Sequence, residues 1–180
     1  METRSEYPDC MHNNPLQVGA EFLDFVLVTL QPMGLYLQPF TSKKWQYQKG
    51  ESLQGWEVKY DRRCTETGRL SIEVAEKVKA ANAKWVPSGI YRSDNTWLYI
   101  QGNYTCFYIF IKRFLVALHK TGRYEEHEEY GTVRAFYLPL AQVERNSFGH
   151  KVVAAQMRGA APGLFIAEDR PLYQVAAVDL

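Results

Sequence analysis

The sequence predicts an α/β domain in which helices flank a central β-sheet. Between residues 16 and 31, apolar residues recur at intervals of three and four, which is the pattern of an amphipathic helix. Several short later segments alternate apolar and polar residues, as half-buried strands do. The chain has 180 residues, of which 46% are hydrophobic, so it can build one substantial core. A single domain is therefore expected.

The two ends of the chain are predicted to differ from the domain between them. Segment 1–15 is polar, lacks periodicity and contains Pro8 and Pro15, which predicts an irregular arm. The domain itself spans 16–155, and a tail rich in Gly, Ala and Pro follows over 156–180. Because the N-terminus has neither a basic region nor an apolar run, no secretion signal is expected.

Cysteine usage and hydropathy point to the cytoplasm. The three cysteines, Cys10, Cys64 and Cys106, are an odd number without a C-x-x-C pair, which argues against a disulfide framework and against a zinc site. The longest apolar run, around 107–118, is interrupted by charged residues and is too short to cross a bilayer. A reduced, cytoplasmic protein that does not enter a membrane is therefore expected.

Periodicity and turn residues predict the elements of the first half. The first helix should end at Pro32 and Gly34, because proline and glycine do not continue a helix. The elements expected after it are extended structure over 34–48, a tight hairpin loop over 53–55, a strand over 56–61, a polar loop over 62–68 and a strand over 69–74.

The second half contains a strong hairpin signal, since Gly102 and Asn103 separate two aromatic-rich segments. The elements expected there are a short helix or loop over 75–89, strands over 96–101 and 104–110, a helix over 112–120, an acidic loop over 125–129, a strand over 133–138, a short helix over 141–145 and a strand over 152–155. Four tryptophans are expected to lie in the core rather than to stack on bases, namely Trp45, Trp56, Trp85 and Trp97.

The most informative stretch of the chain contains Glu51, Glu57 and Lys59. Glu57 and Lys59 should share one face of their strand, because alternate side chains of a strand point the same way. If the loop before this strand has three residues, with Gly55 in the left-handed conformation, Glu51 faces Glu57 across a hairpin. Directly opposed residues hold their Cβ atoms about 4.5–5.5 Å apart, so two carboxylates there repel unless a proton or a cation compensates. A hard divalent cation is the simplest compensator.

A third carboxylate is expected to join this pair. Symmetric pairing about Thr65 would set Glu57 opposite Glu73 and Lys59 opposite Ser71. Three carboxylates on three adjacent strands would then converge.

Two interpretations of this acidic group remain open. Metal-dependent phosphodiester cleavage needs carboxylates to hold Mg²⁺ and a lysine to stabilise the attacking water or the developing charge. Alternatively, the wet face of an antiparallel sheet often carries Glu and Lys whose cross-strand pairs contribute a few tenths of a kcal/mol and perform no chemistry. The opposition of Glu51 and Glu57 favours the metal, because a structural surface would sooner pair opposite charges.

Several motifs together resemble a known family. They are Gly50-Glu51, then Gly55-Trp56-Glu57-Val58-Lys59-Tyr60-Asp61, then Thr67-Gly68 and Ile72-Glu73, and finally Ser88-Gly89-Ile90 before an aromatic strand pair. This set resembles the PD-(D/E)XK nuclease superfamily and, within it, small phage- and prophage-type members. The resemblance covers roughly residues 45–115. It implies a restriction-endonuclease-like fold with a mixed central sheet flanked by helices, metal binding by Glu51 and Glu57, and a catalytic role for Lys59.

Positive charge concentrates around the motif, although the net charge of the chain is only +1. Residues 43–92 hold eleven Lys and Arg against six Asp and Glu, which is an excess of +5. A phosphate-binding surface has this footprint, and so does an ordinary solvated face rich in Lys and Arg. The residues predicted to contact DNA are Lys43, Lys44, Lys49, Arg62, Arg63 and Arg69.

The sequence thus predicts a DNA endonuclease that depends on Mg²⁺ or Mn²⁺. Its catalytic residues would be Glu51, Glu57 and Lys59, and its metal ligands Glu51, Glu57 and Glu73. The alternative is a nuclease-like module with weak catalysis that binds DNA or protein, as an accessory factor or a phage inhibitor. Glu51, where the superfamily usually has Asp, keeps this alternative open. DNA is the expected partner, with a protein partner and a homodimer left open, and a phage-encoded protein would act in the host cytoplasm.

Overall fold

The computed structural model describes residues 15–40, 42–146 and 148–153. Its α-helices are α1 (Pro15–Leu30), α2 (Lys43–Lys49), α3 (Cys64–Thr67), α4 (Lys112–Lys120) and α5 (Leu140–Arg145). Two short 3-10 helices lie at Gln31–Met33 and Gly89–Tyr91. None of the described helices is long and apolar enough to cross a bilayer. The predicted arm, apart from Pro15, and the predicted tail over 156–180 lie outside the described residues.

Eight strands form two sheets that are mostly antiparallel. The strands are β1 (Trp56–Tyr60), β2 (Arg69–Glu76), β3 (Val86–Pro87), β4 (Leu98–Gly102), β5 (Cys106–Ile111), β6 (Glu126–Glu129), β7 (Val133–Pro139) and β8 (His150–Val153). The first sheet has the order β1-β4-β5-β8 and the second the order β3-β2-β7-β6. β1 and β4 run parallel, whereas the other strand pairs are antiparallel.

Helix α1 covers one face of the first sheet. Phe22, Val26 and Leu30 recur every fourth residue on this helix and are fully buried, which is the spacing of one face of an amphipathic helix. They pack in one cluster with Trp56 of β1 and Ile100 of β4. The helix ends at Leu30, close to the predicted stop at Pro32 and Gly34, and Gly34 takes the left-handed conformation that closes the turn.

The opposite face of the first sheet belongs to a second apolar cluster. This cluster joins the first sheet to the second sheet and to α4. Its largest fully buried members include Tyr99, Tyr108, Leu70, Ile72, Phe136 and Leu115. Both faces of the first sheet are therefore covered, which explains why its two central strands, β4 and β5, are rich in large apolar residues.

The strand pairing differs from the single central sheet that the sequence predicts. β1 pairs with β4 and β2 pairs with β7, so β1 and β2 belong to different sheets. The expected symmetric pairing about Thr65 is wrong, because this connection contains α3 instead of a hairpin loop. Gly68 ends α3 in the left-handed conformation and redirects the chain into β2.

Some local predictions are confirmed and others are wrong. The hairpin of β4 and β5, helix α4 and strand β7 lie close to their predicted positions. The segment 34–48, expected to be extended, contains most of α2. The acidic run expected to be a loop forms β6, an edge strand whose charged side chains suit an open sheet edge.

The tryptophans divide between the core and the surface. Trp56 is buried, and Trp85 is partly buried beneath the cationic groups of Lys77 and Arg134. Trp45 and Trp97 are 50% and 53% exposed, so the expectation that they lie in the core is wrong.

Candidate active site

The pairing of β1 with β4 brings polar side chains together on one face of the first sheet. The parallel register sets Glu57 beside Tyr99 and Lys59 beside Gln101. Since Tyr99 packs in the cluster between the sheets, Glu57 and Lys59 face the second sheet. Trp56 packs on the other side, beneath α1. The predicted alternation of charged and apolar faces along β1 is therefore confirmed.

Glu57 is a buried acid that lies beside two cationic side chains. Its side chain is 0% exposed, and its Oε1 lies 2.9 Å from Lys59 Nζ and 3.6 Å from Arg92 Nη2. Neither carboxylate oxygen accepts a hydrogen bond of good geometry from the described residues. Burial raises the pKa of Glu57, and the neighbouring Glu51 carboxylate adds to this rise, while Lys59 and Arg92 oppose it. The pKa stays above its ordinary value.

Glu51 reaches the same place by a route that the sequence does not predict. Ser52 forms a bridge with Pro39, so the expectation that the chain before β1 forms a hairpin strand paired with β1 is wrong. Gly55 does take the predicted left-handed conformation. Glu51 Oε2 accepts a hydrogen bond of 3.0 Å from the backbone N–H of Val58, and its Oε1 lies 3.6 Å from Lys59 Nζ. The two acids therefore meet through the lysine and not through backbone pairing.

Lys59 lies among three carboxylates. Its Nζ is 2.9 Å from Glu57, 3.6 Å from Glu51 and 4.0 Å from Glu73. The lysine side chain is 28% exposed, so the group can be reached from solvent. Burial alone would lower the pKa of Lys59, but the carboxylates of Glu57 and Glu51 outweigh burial and raise the pKa well above its ordinary value. These carboxylates therefore favour the charged ammonium form of Lys59.

Glu73 joins the group from β2 in the second sheet. Ser88 Oγ donates a hydrogen bond of 2.5 Å to Glu73 Oε1. The next residue, Gly89, has a φ of +51°, and a Cβ added there would lie 2.3 Å from the backbone oxygen of Glu73. Only glycine fits this close approach. The Ser88-Gly89 turn, which belongs to the recognised motif, thus fixes Glu73 near Lys59 by tertiary packing.

A second set of charges lies behind Glu57. Arg92 Nε donates to Asp94 at 2.5 Å, and Lys112 Nζ donates to the other oxygen of Asp94 at 3.0 Å. Burial alone would raise the pKa of Asp94, but hydrogen bonds from Arg92 and Lys112 lower it to about 2. Arg92 also faces Glu57 at 3.6 Å. The acid and lysine group therefore continues into a buried network of alternating charge.

Asp61 and Gln101 connect the two sheets beside this group. Ser71 of β2 donates its backbone N–H to Asp61 Oδ2 at 2.9 Å. Gln101 Nε2 donates to the backbone oxygen of Ser71 at 2.6 Å and to Asp61 at 3.2 Å. Side chains of Asp61 and Gln101 thus satisfy backbone groups of β2 at Ser71.

The residues predicted to contact DNA fall into two stretches. Lys44 and Lys49 are exposed on α2, just before Glu51 in the chain, whereas the side chain of Lys43 lies outside the described part. Arg62 and Arg63 are exposed in the connection from β1 to β2, and Arg69 is exposed at the start of β2. Arg63 pairs with Glu66 at 3.6 Å, and Arg69 stacks on Tyr137 at 3.6 Å from the ring centroid.

Four residues of this site are not predicted from the sequence, namely Tyr99, Arg92, Asp94 and Lys112. Tyr99 is fully buried, and its hydroxyl has no hydrogen-bond partner among the described residues. Tyr99 and Gln101 alternate along a predicted strand, so they share one face of it. This pattern indicates site residues only once β1 and β4 are known to be neighbours. The close spacing of Arg92 and Asp94, just after the Ser88-Gly89-Ile90 motif, was a second signal.

Comparison with known proteins gives no independent family assignment. No protein-family model, curated protein or solved structure matches the chain. Within the described residues, moreover, no three His, Cys, Asp or Glu side chains are arranged as a metal-binding group. The chemistry of the site therefore has to be argued from its geometry.

Proposed function

We propose that this protein is a metal-dependent DNA nuclease whose site is formed by Glu51, Glu57 and Lys59, with Glu73 beside them. One observation carries the proposal. A lysine ammonium lies 2.9 Å, 3.6 Å and 4.0 Å from three carboxylates, at a place that is partly open to solvent. Perturbed ionisable groups collected in this way are typical of functional sites. The resemblance to the PD-(D/E)XK superfamily rests on the same residues.

The donor set suits a hard divalent cation. Mg²⁺ and Mn²⁺ prefer carboxylate oxygens. Among the described residues, Oε2 of buried Glu57 has no hydrogen-bond partner, while Oε1 faces only the charged groups of Lys59 and Arg92. Glu51 is the natural second ligand, because the Val58 N–H fixes one of its oxygens. Lys59 Nζ now neutralises these acids, so it has to move aside when the cation enters. When bound, the ion would lower the pKa of a coordinated water and polarise the phosphate.

Lys59 contributes to the reaction as a charge. In hydrolysis, a water oxygen forms a new bond to phosphorus, the bond from phosphorus to a sugar oxygen breaks, and the water loses the proton that the leaving oxygen requires. Negative charge builds up on the phosphate oxygens during this exchange. An ammonium beside the reacting phosphate can stabilise that charge.

A second candidate function is a binding module without efficient chemistry. The observation that favours it is the position of Lys59, which already neutralises the acids that a metal would need. A buried ion-pair network of this kind also forms for structural reasons. Such a module would bind DNA or a protein through the same surface and would not cleave.

Lys59→Ala separates the two functions. Wild-type protein should nick supercoiled DNA in the presence of Mg²⁺ or Mn²⁺, and Lys59→Ala should reduce the rate roughly 100-fold while changing DNA affinity much less. Lys79→Ala, which removes an exposed lysine from the loop after β2, is the matched control and should cleave at the wild-type rate. The measurement is single-turnover cleavage, with thermal denaturation to confirm that each variant folds.

Metal binding is measured in parallel by calorimetry. Mn²⁺ should bind the wild-type protein and raise its Tm by mass action, and Glu57→Gln should abolish both effects. Equal Mn²⁺ affinity in the wild-type protein, Glu51→Gln and Glu57→Gln would show that Glu51 and Glu57 are not metal ligands. If the folded wild-type protein binds DNA and cuts no supercoiled, branched or single-stranded substrate with either metal, the binding module replaces the nuclease.

A further inference from the structure

An exposed tryptophan lies close to the candidate active site. Trp97 is 53% exposed, and the neighbouring turn presents Leu53, which is 59% exposed. Trp97 stands two residues before Tyr99, the partner of Glu57 in the strand register. At the usual rise of a strand, this separation is roughly 7 Å. The exposed ring therefore lies one strand repeat from the register position of Glu57.

The indole of Trp97 is held in one orientation. Its Nε1 donates a hydrogen bond of 2.7 Å to the backbone oxygen of Gln54. Gly55 makes room for the ring, because a Cβ added to Gly55 would lie 2.8 Å from Trp97 Cδ1. The backbone on both sides is also fixed, since Trp97 N–H donates to Gly55 and Trp97 oxygen accepts from Lys112, each at 2.8 Å. The polar end of the indole is thus satisfied inside the protein while half of the residue remains exposed.

Positive charge lies next to this surface. The segment before Trp97 is tied to the end of α2, because the backbone N–H of Asn95 donates to Lys49 oxygen at 3.1 Å. Gly50 allows this contact, since a Cβ there would lie 2.1 Å from Asn95 Oδ1. The ammonium groups of Lys44 and Lys49 are exposed and have no acidic partner within the described ranges. An exposed ring and free lysines therefore share one rigid part of the fold.

We propose that Trp97 is a stacking platform for an unpaired base of DNA, with Lys44 and Lys49 contacting the adjacent phosphates. This proposal rests on the proposed nuclease function and specifies its substrate as DNA with an unpaired strand at the site. In a duplex, the faces of the bases are covered by their neighbours, so a fixed indole has nothing to stack on. In an unpaired strand, every base offers a face to an aromatic ring, and nearby lysines attract the backbone.

Binding is measured without cleavage, in EDTA, by fluorescence anisotropy of a labelled oligothymidine and of a duplex of the same length. Trp97→Ala should weaken binding to the unpaired strand by about 5-fold or more and binding to the duplex by less than about 2-fold. Trp97→Phe keeps a ring and should lose less affinity than Trp97→Ala. Tyr130→Ala removes a residue that is 93% exposed in the connection from β6 to β7, and it should change neither affinity.

Each outcome either supports or overturns the platform. Unchanged affinity of Trp97→Ala for the unpaired strand overturns it, and so does an equal loss for strand and duplex in both Trp97 variants. A cleavage assay with Mn²⁺ on the same samples keeps the two proposals apart. Selective loss of strand binding in Trp97→Ala without any wild-type cleavage supports the platform and overturns the nuclease. Wild-type cleavage together with unchanged strand affinity in Trp97→Ala supports the nuclease and overturns the platform.

Discussion

Asp94 shows how the buried network depends on individual charges. Its two oxygens accept hydrogen bonds from Arg92 and Lys112, and its side chain is 0% exposed. A buried acid between two cations is stable because each charge has a partner, and removing one partner leaves the others uncompensated. The network thus holds Arg92 facing Glu57 while its own stability depends on pH.

Asp94→Asn should change the pH dependence of stability. The pKa of Asp94 is lowered from 3.8 to about 2 in the folded protein. Its contribution, on the order of 2 kcal/mol, is therefore fully present above pH 4 and is lost as the pH falls towards 2. The difference in unfolding free energy between the wild-type protein and Asp94→Asn should be largest near neutral pH and shrink in acid. Urea denaturation at several pH values measures it.

A control distinguishes this effect from the loss of any negative charge. Asp24→Asn removes an exposed acid from α1 and should shift stability by less than about 0.5 kcal/mol across the same pH range. A constant difference between the wild-type protein and Asp94→Asn from pH 7 to pH 2 would contradict the role given to Asp94.

The common face of Glu57 and Lys59 could be predicted from sequence, but neither the routes by which Glu51 and Glu73 reach Lys59 nor the charges behind Glu57 could. Glu57 and Lys59 are two residues apart in one strand, so their common face follows from the strand geometry alone. Arg92 and Asp94 lie in a loop whose path depends on the Ser88-Gly89 turn packing against β2. Tertiary contacts of this kind leave no periodic signal.

Gly55 sustains the turn that carries Glu51 towards β1. Its φ is +75°, and a Cβ there would lie 2.4 Å from the backbone oxygen of Asn95. Gly55→Ala should therefore lower the unfolding free energy by roughly 1–3 kcal/mol, since both the strained φ and the backbone contact oppose a side chain. Chemical denaturation of the purified variant provides the measurement.

Gly19→Ala in α1 is the opposite case and the matched control. No described atom outside the helix's own backbone lies within 4 Å of a Cβ added at Gly19, and alanine favours a helix. This variant should gain roughly 0.5–1 kcal/mol. If Gly55→Ala proved as stable as Gly19→Ala, the turn would have to be less constrained than the structure indicates.

Elements with a strong local pattern could be predicted, and elements defined by distant partners could not. Helix α1, the hairpin of β4 and β5, and α4 follow from apolar periodicity and from turn residues. β6 consists of Glu126, His127, Glu128 and Glu129, a composition that gives no strand signal, and it forms because β7 offers a free edge. The parallel pairing of β1 with β4 is equally invisible to local patterns, because it joins segments that are distant in the chain.

The distribution of charge over the molecule predicts that DNA affinity depends on salt concentration. Lys44 and Lys49 are exposed near the site, so each phosphate contact that they make should release counterions. The logarithm of DNA affinity should fall linearly with the logarithm of salt concentration, and Lys44→Ala combined with Lys49→Ala should reduce the slope by about 1–2. Anisotropy titrations over a range of salt concentrations test this.

The double variant needs a comparison at a site away from α2. Lys79→Ala combined with Lys84→Ala removes two exposed lysines from the loop after β2 and should leave the slope unchanged. Equal slopes in the wild-type protein and both double variants would show that α2 does not contact the phosphates.

The side chain of Gln101 links the two sheets by hydrogen bonds. Its amide reaches from β4 to the backbone of Ser71 in β2 and, at the same time, to Asp61 at the end of β1. Neither sheet can open at this point without leaving buried polar groups of the other unsatisfied. Local opening of one sheet at this junction should therefore be coupled to opening of the other. Any ligand that tightens this junction would consequently protect backbone amides far from the place where it binds.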